Sequence, residues 1–293
     1  MKIKGITMTI VFEAESANYG ESVGNIASLK KMSRGKGEQY TYISRQALSY
    51  NIVEQLREPL ASVISEGSAE KGVIQYSKEC TIKDFPELDF FGYLKTQKDS
   101  NGLKRSAKVR LSNAISLETY KGDLDFLTNK GLADRINANM NIAQSEIHHS
   151  LYKYTVTIDL DEIGYDDSDS SNIIDLNFEE KSRRVQKLLD TISMLYRDIR
   201  GRREDLKPLF IIGGIYDIKN PFFHNIVEVK DNSLDVKQIK EGLFSQIKAD
   251  TMVGVYKGKF DNSEEIISEL NATSVPDFFD SLKKRVKEYY ESN

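Results

Sequence analysis

This sequence predicts an α+β fold, on three observations. Residues 3–12, IKGITMTIVF, and 151–160, LYKYTVTIDL, alternate apolar and polar side chains, the period-two mark of a strand. Residues 44–58 and roughly 179–200 instead repeat apolar side chains at helical spacing. The order along the chain is strand, helix, long insertion, strand, helix, strand and a mixed tail, which fits a split-βαβ, ferredoxin-like core.

In the first strand Ile6, Met8, Ile10 and Phe12 fall on one face and Thr7, Thr9 and Val11 on the other, so it reads as half-buried. Residues 13–40 lack periodicity and carry Gly20, Gly24, Gly35 and Gly37, which predicts a long loop, functional or disordered. Ser44 is a good N-cap for the helix that follows, Leu48, Ile52 and Leu56 repeat every four residues, and Pro59 stops it. Residues 60–145 read as an irregular insertion, part helix and part hairpin. The 151–160 run is the clearest strand. In the second long helix Val185, Leu188, Leu189, Ile192, Leu195, Tyr196 and Ile199 form the buried stripe, with Gly201 closing it. A buried strand at 206–216, a further strand at 222–229, a helix near 234–248, a strand at 251–257 and a helix from about Pro276 complete the chain.

The 293 residues suffice for one large domain or two ordinary ones. A single cysteine, Cys80, excludes an internal disulfide framework and a multi-cysteine zinc site, which makes a reducing cytoplasm the expected setting. The N-terminal run resembles a strand more than a signal peptide, and no run approaches the roughly 20 apolar residues of a membrane helix. Net charge is −4, so nothing draws the whole molecule to nucleic acid or membrane. Local charge is uneven. Lys30, Lys31, Arg34, Lys36 and Arg45 face only Glu38 between residues 30 and 45. Lys95, Lys98, Lys104, Arg105, Lys108 and Arg110 face only Asp99 between 95 and 110. Residues 161–180 hold eight carboxylates and no base. This asymmetry predicts a phosphate-binding face and a separate acidic face.

The run ISRQALSYN at 43–51 resembles the Ile-Ser-x-Gln-x-Leu signature of CRISPR Cascade backbone subunits. FEAESANYGESVGNIASLKKM, KRSAKVRLSNAISLETYKGDLDF, EIHHSLYKYTVTIDLDEIG and IIGGIYDIKNPFFHN follow the order of the type I-B branch, the DevR family. The resemblance covers most of the chain. It implies one domain over 1–293 with an RNA-recognition-like (RRM-like) palm, a finger-like insertion at 60–145 and a thumb region at 216–260. It further implies a non-catalytic subunit that assembles with other copies of itself and other Cascade subunits along a crRNA guide. Target DNA would be met through the guide, with no cofactor and no membrane. Many relatives carry a base where this chain has Ser49 or Tyr50, so some phosphate binding must come from elsewhere, with Arg45 the nearest candidate. The aromatic sheet motif of ordinary RNA-recognition domains is absent, so base stacking on the sheet is not predicted.

Coating a guide of any sequence demands phosphate and sugar contacts rather than base readout. Lys30, Lys31, Arg34 and Lys36 on the arm, and Ser44, Arg45 and Gln46 where the first helix starts, supply the residue types for this. Arg105, Lys108 and Arg110 could close on the strand from the insertion. Related type III backbone subunits cleave target RNA with an acidic residue after the first strand. Residues 16–42 hold Glu21 and Glu38 but no aspartate, so metal-dependent RNA cleavage is the alternative. A sequence-specific regulator would need a base-reading helix, and the signature helix lacks a suitable run of long polar residues. Glu146, His148 and His149 lack the geometry of a metal site, and Asp167–Ser171 fails as a calcium loop at its sixth and twelfth positions, Asn172 and Phe178. Gly213–Gly214 reads as a close backbone approach, and Cys80 as an incidental thiol.

Overall fold

The computed structural model describes residues 2–66, 72–97 and 100–292. Its centre is an antiparallel sheet of eight strands: β1 (Gly5–Ala14), β2 (Lys31–Arg34), β3 (Glu38–Ile43), β4 (Val109–Leu111), β5 (Ala114–Ser116), β6 (Ser150–Asp159), β7 (Phe210–Tyr216) and β8 (Met252–Val255). The spatial order is β8-β7-β1-β6-β5-β3-β2, with β4 also paired to β6. Helices α1 (Arg45–Leu56), α2 (Phe178–Ser193) and α3 (Val275–Glu291) cover one face.

β1 is buried on both faces rather than one. It lies between β6 and β7, pairing Met8 with Val156 and with Gly213. Ile6, Met8, Ile10 and Phe12 join the helix-side core, while Val11 joins a second core with Phe210, Ile212 and Phe223. Thr7 and Thr9 are fully buried and spend their hydroxyls on Asn220 O and Thr155 Oγ1. A buried hydroxyl costs little once it is bonded, which is why the alternating pattern misreads the burial. Gly213 and Gly214 do mark close approaches. A Cβ at 213 would lie 2.2 Å from Thr7 O, and one at 214 would lie 2.2 Å from Asp250 O.

Several sequence expectations are corrected. Residues 13–40 are not a loop: Tyr19–Val23 and Ile26–Leu29 form strands of a second, four-stranded sheet with Asp123–Thr128 and Ile142–Ile147. β2 and β3 extend the central sheet, and Gly35 and Gly37 take positive φ at their turn. Within 60–145, β4 and β5 return to the central sheet, while Val63–Glu66/Val73–Tyr76 and Tyr93–Gln97/Ser100–Arg105 are separate hairpins. α2 ends at Ser193. Tyr196–Ile199 and Arg202–Asp205 then form a hairpin whose turn residues, Arg200 and Gly201, both have positive φ. Gly201 thus belongs to this turn and not to a helix cap. No strand spans 222–229, and the helix near 234–248 divides into Val236–Glu241 and Ser245–Lys248. α1 closes at Arg57 in the left-handed region, φ 51°, before Pro59 is reached.

Candidate nucleic-acid interface

The start of α1 is the point where the arm, the central sheet and the insertion meet. Ser44 caps the helix, its hydroxyl accepting from Ala47 N at 3.3 Å. Asn18, on the turn after β1, joins the pieces. Its backbone N donates to Tyr42 O at 3.1 Å, its carbonyl accepts from Lys30 N at 2.6 Å, and its side chain accepts from Ser44 N at 2.8 Å. Across the gap, Asn113 Oδ1 accepts from Arg45 N at 2.9 Å. An open, polar cleft of about 550 Å³ results, lined by Lys30, Tyr42, Ser44, Arg45, Gln46 and Ser112 among others. Lys30, Arg45 and Gln46 are exposed around it.

The predicted basic residues divide sharply. Lys30, Arg34, Lys36 and Arg45 are exposed and form no ion pair among the described residues. Arg34 lies over the Tyr40 ring, 5.1 Å from its centroid, near the β2–β3 turn that also carries Lys36. Lys31 points to the opposite face of β2. It bonds Glu146 at 2.7 Å and caps the Tyr120 ring at 4.3 Å, so it is spent on the second sheet.

In the other basic segment Arg105, Lys108 and Arg110 each carry a carboxylate partner. Arg105 is buried and donates to Asp89 Oδ1 at 2.6 Å and to Glu162 O at 3.0 Å. Lys108 pairs with Glu162, whose carboxyl that bond holds below its usual range. Arg110 is half exposed and pairs with Asp159 at 2.8 Å. Lys95 is buried on the carbonyls of Lys78 and Cys80, and burial lowers its pKa. Lys98 and Asp99 lie outside the described residues. Part of the acidic segment is spent within the fold, since Glu162, Asp175 and Glu180 pair with Lys108, Lys181, Arg183 and Arg184.

The remaining candidates are dispersed. His148 is buried, its Nδ1 2.7 Å from Thr41 Oγ1, and burial lowers its pKa. His149 is exposed beside Glu13 at 3.2 Å, and Glu146 is held by Lys31. Asp169 caps its own turn through Ser171 N at 2.9 Å. Glu38 is exposed on β3 with the Tyr40 hydroxyl 3.4 Å away, while the Glu21 side chain lies outside the described residues. Ser49 donates back to Gln46 O at 3.0 Å and Tyr50 is exposed. Sequence reasoning missed Asn18 and Asn113. An asparagine in a turn announces local backbone bonding, but not which segments it will tie together.

Residues 6–238 match the family described as CRISPR-associated negative auto-regulator DevR/Csa2. The chain belongs to this family. No curated protein matches it. Its fold is similar to a chain of a CRISPR RNA-guided surveillance complex, pre-nicking, at 12% identity and a TM-score of 0.58 over 96% of this chain and 100% of that one. It is also similar to a chain of a CRISPR RNA-guided surveillance complex at 14% identity and a TM-score of 0.56, over 96% and 99%. This chain thus shares its mixed α+β architecture around an antiparallel sheet with a chain of each of these complexes at fold level. No helix among the described residues is long and apolar enough to cross a membrane.

Proposed function

We propose that this DevR/Csa2 member is a non-catalytic backbone subunit of a type I-B CRISPR interference complex. It binds the crRNA guide through its ribose-phosphate backbone and assembles with further copies and other Cascade subunits along it. Target DNA is met by the guide's bases. The observation that carries this reading is the cleft at the start of α1, where Lys30, Arg45, Ser44 and Gln46 converge without a carboxylate partner. Uncompensated cations beside hydroxyl and amide groups suit phosphate and sugar of any sequence. The spatial order β7-β1-β6-β4, with α1 and α2 on one face between them in sequence, supports a ferredoxin-like, RRM-like palm.

Assembly on a single-stranded guide tests the reading. Replacing Arg34, Lys36 and Arg45 together by alanine should weaken RNA-dependent assembly. It should also flatten the slope of log K against log salt by about 2, since each phosphate contact adds roughly 0.7. Sedimentation of the protein with guide RNA across a salt series measures both. Assembly by the triple variant that matches the unaltered chain at physiological salt removes this reading.

A further inference from the structure

A second cation stands on the same face of the sheet as the arm, outside both basic segments. Lys153 lies on β6, directly opposite Ile115 of β5, which in turn lies opposite Tyr42 of β3. Tyr42 N donates to Lys30 O at 3.2 Å, which carries the row on to Lys30. Residues directly opposed in an antiparallel sheet share a face. Lys30, Tyr42, Ile115 and Lys153 therefore form one cross-strand row, followed on that face by the Met32–Tyr40 pair and then by the Arg34–Glu38 pair. Three strand spacings of about 4.8 Å separate the two lysines, so their backbones lie roughly 14 Å apart.

Lys153 is poorly compensated. It is half-buried and makes no ion pair among the described residues. Its ammonium donates to Val227 O at 2.7 Å, on the segment covering the next part of the sheet. Burial is the main cause lowering its pKa to about 8, with Glu228 opposing and Arg34 adding to the shift. The nearby His224, whose ring meets Thr155 Oγ1 at 3.1 Å, is itself pushed down by burial and then by Lys153. Val11 and Ile115, its neighbours across the strands, are apolar. A half-buried ammonium with no ion pair gains from an arriving anion.

We infer that Lys153 is a further phosphate contact of the guide, extending the track from the cleft at α1 across the sheet to the edge of the 217–228 segment. This rests on the RNA-binding reading above and deepens it. The test is binding of a fluorescein-labelled, mixed-sequence single-stranded RNA, read by anisotropy over salt and pH. Lys153→Met keeps the stem and removes the charge. It should lower affinity about tenfold and flatten the salt slope by roughly 0.7, while Lys153→Arg retains most of the binding. A phosphate raises the lysine's pKa, so binding takes up a proton above the free value. Affinity of the unaltered chain should then fall from about pH 7 to about pH 9, and that of Lys153→Met should not. In the unaltered protein, RNA should shield Lys153 from reductive methylation. Equal methylation with and without bound RNA, or a Lys153→Met variant with unchanged affinity, slope and pH profile, overturns this inference alone. An unaltered chain that binds no RNA overturns the reading beneath it as well.

Discussion

The arm around residues 30–46 and the segment around 95–110 look alike as strings of charge and differ as structures. On the arm, Lys30, Arg34, Lys36 and Arg45 reach solvent without a carboxylate, and only Lys31 is paired. In the other segment Arg105, Lys108 and Arg110 are each matched to a carboxylate. The difference teaches that a cluster of bases signals a ligand only when the fold has not already supplied its counter-ions. Here the acidic run past the midpoint supplies part of them. Its Glu162 pairs with Lys108 of the second basic segment, and its Glu180 pairs with Arg183 and Arg184 within α2.

The largest effect should come from breaking the buried pairing. Asp89 is fully buried and accepts from Arg105, from Arg184 at 3.1 Å and from Gly164 N. Asp89→Ala leaves the buried Arg105 without its carboxylate and Arg184 with Glu180 alone, and should cost about 3–5 kcal/mol in urea denaturation. A loss under about 1 kcal/mol would show that these arginines are not held by charge.

An intermediate effect is expected with acid. The hydrogen bond from Arg183, followed by that from Arg184, draws the Glu180 pKa from 4.5 down to about 2. Its stabilising contribution is therefore complete above the unfolded value near 4.5 and is lost as pH falls towards 2. Glu180 remains partly solvated, so the loss is modest. Thermal unfolding followed between these limits should show a smaller decline in Glu180→Gln than in the unaltered chain. Parallel declines would take this carboxylate out of the acid response.

The smallest effect sharpens the contrast itself. Lys108→Gln combined with Arg110→Gln removes two charges that already have partners. Their removal should leave the salt slope of RNA binding unchanged, unlike the arm triple variant, and shift stability by no more than about 1 kcal/mol. A slope change as large as that of the arm variant would return these residues to the guide track.

What the sequence determined by itself was the part written in short-range periodicity. β1, β6, α1 and α3 lie within two residues of their predicted positions, because alternation and four-residue repeats act over a few neighbours. ISRQAL likewise located the start of α1 and its Ser44 cap. Tertiary structure alone decided which cations are free, since Asp89 meets Arg105 and Arg184 across 16 and 95 residues. It also decided that Thr7 and Thr9 are interior, that Asn18 ties the arm to the helix, and that Lys153 shares a row with Lys30. Each of these is a long-range pairing, and a pairing partner leaves no periodic trace in the local sequence.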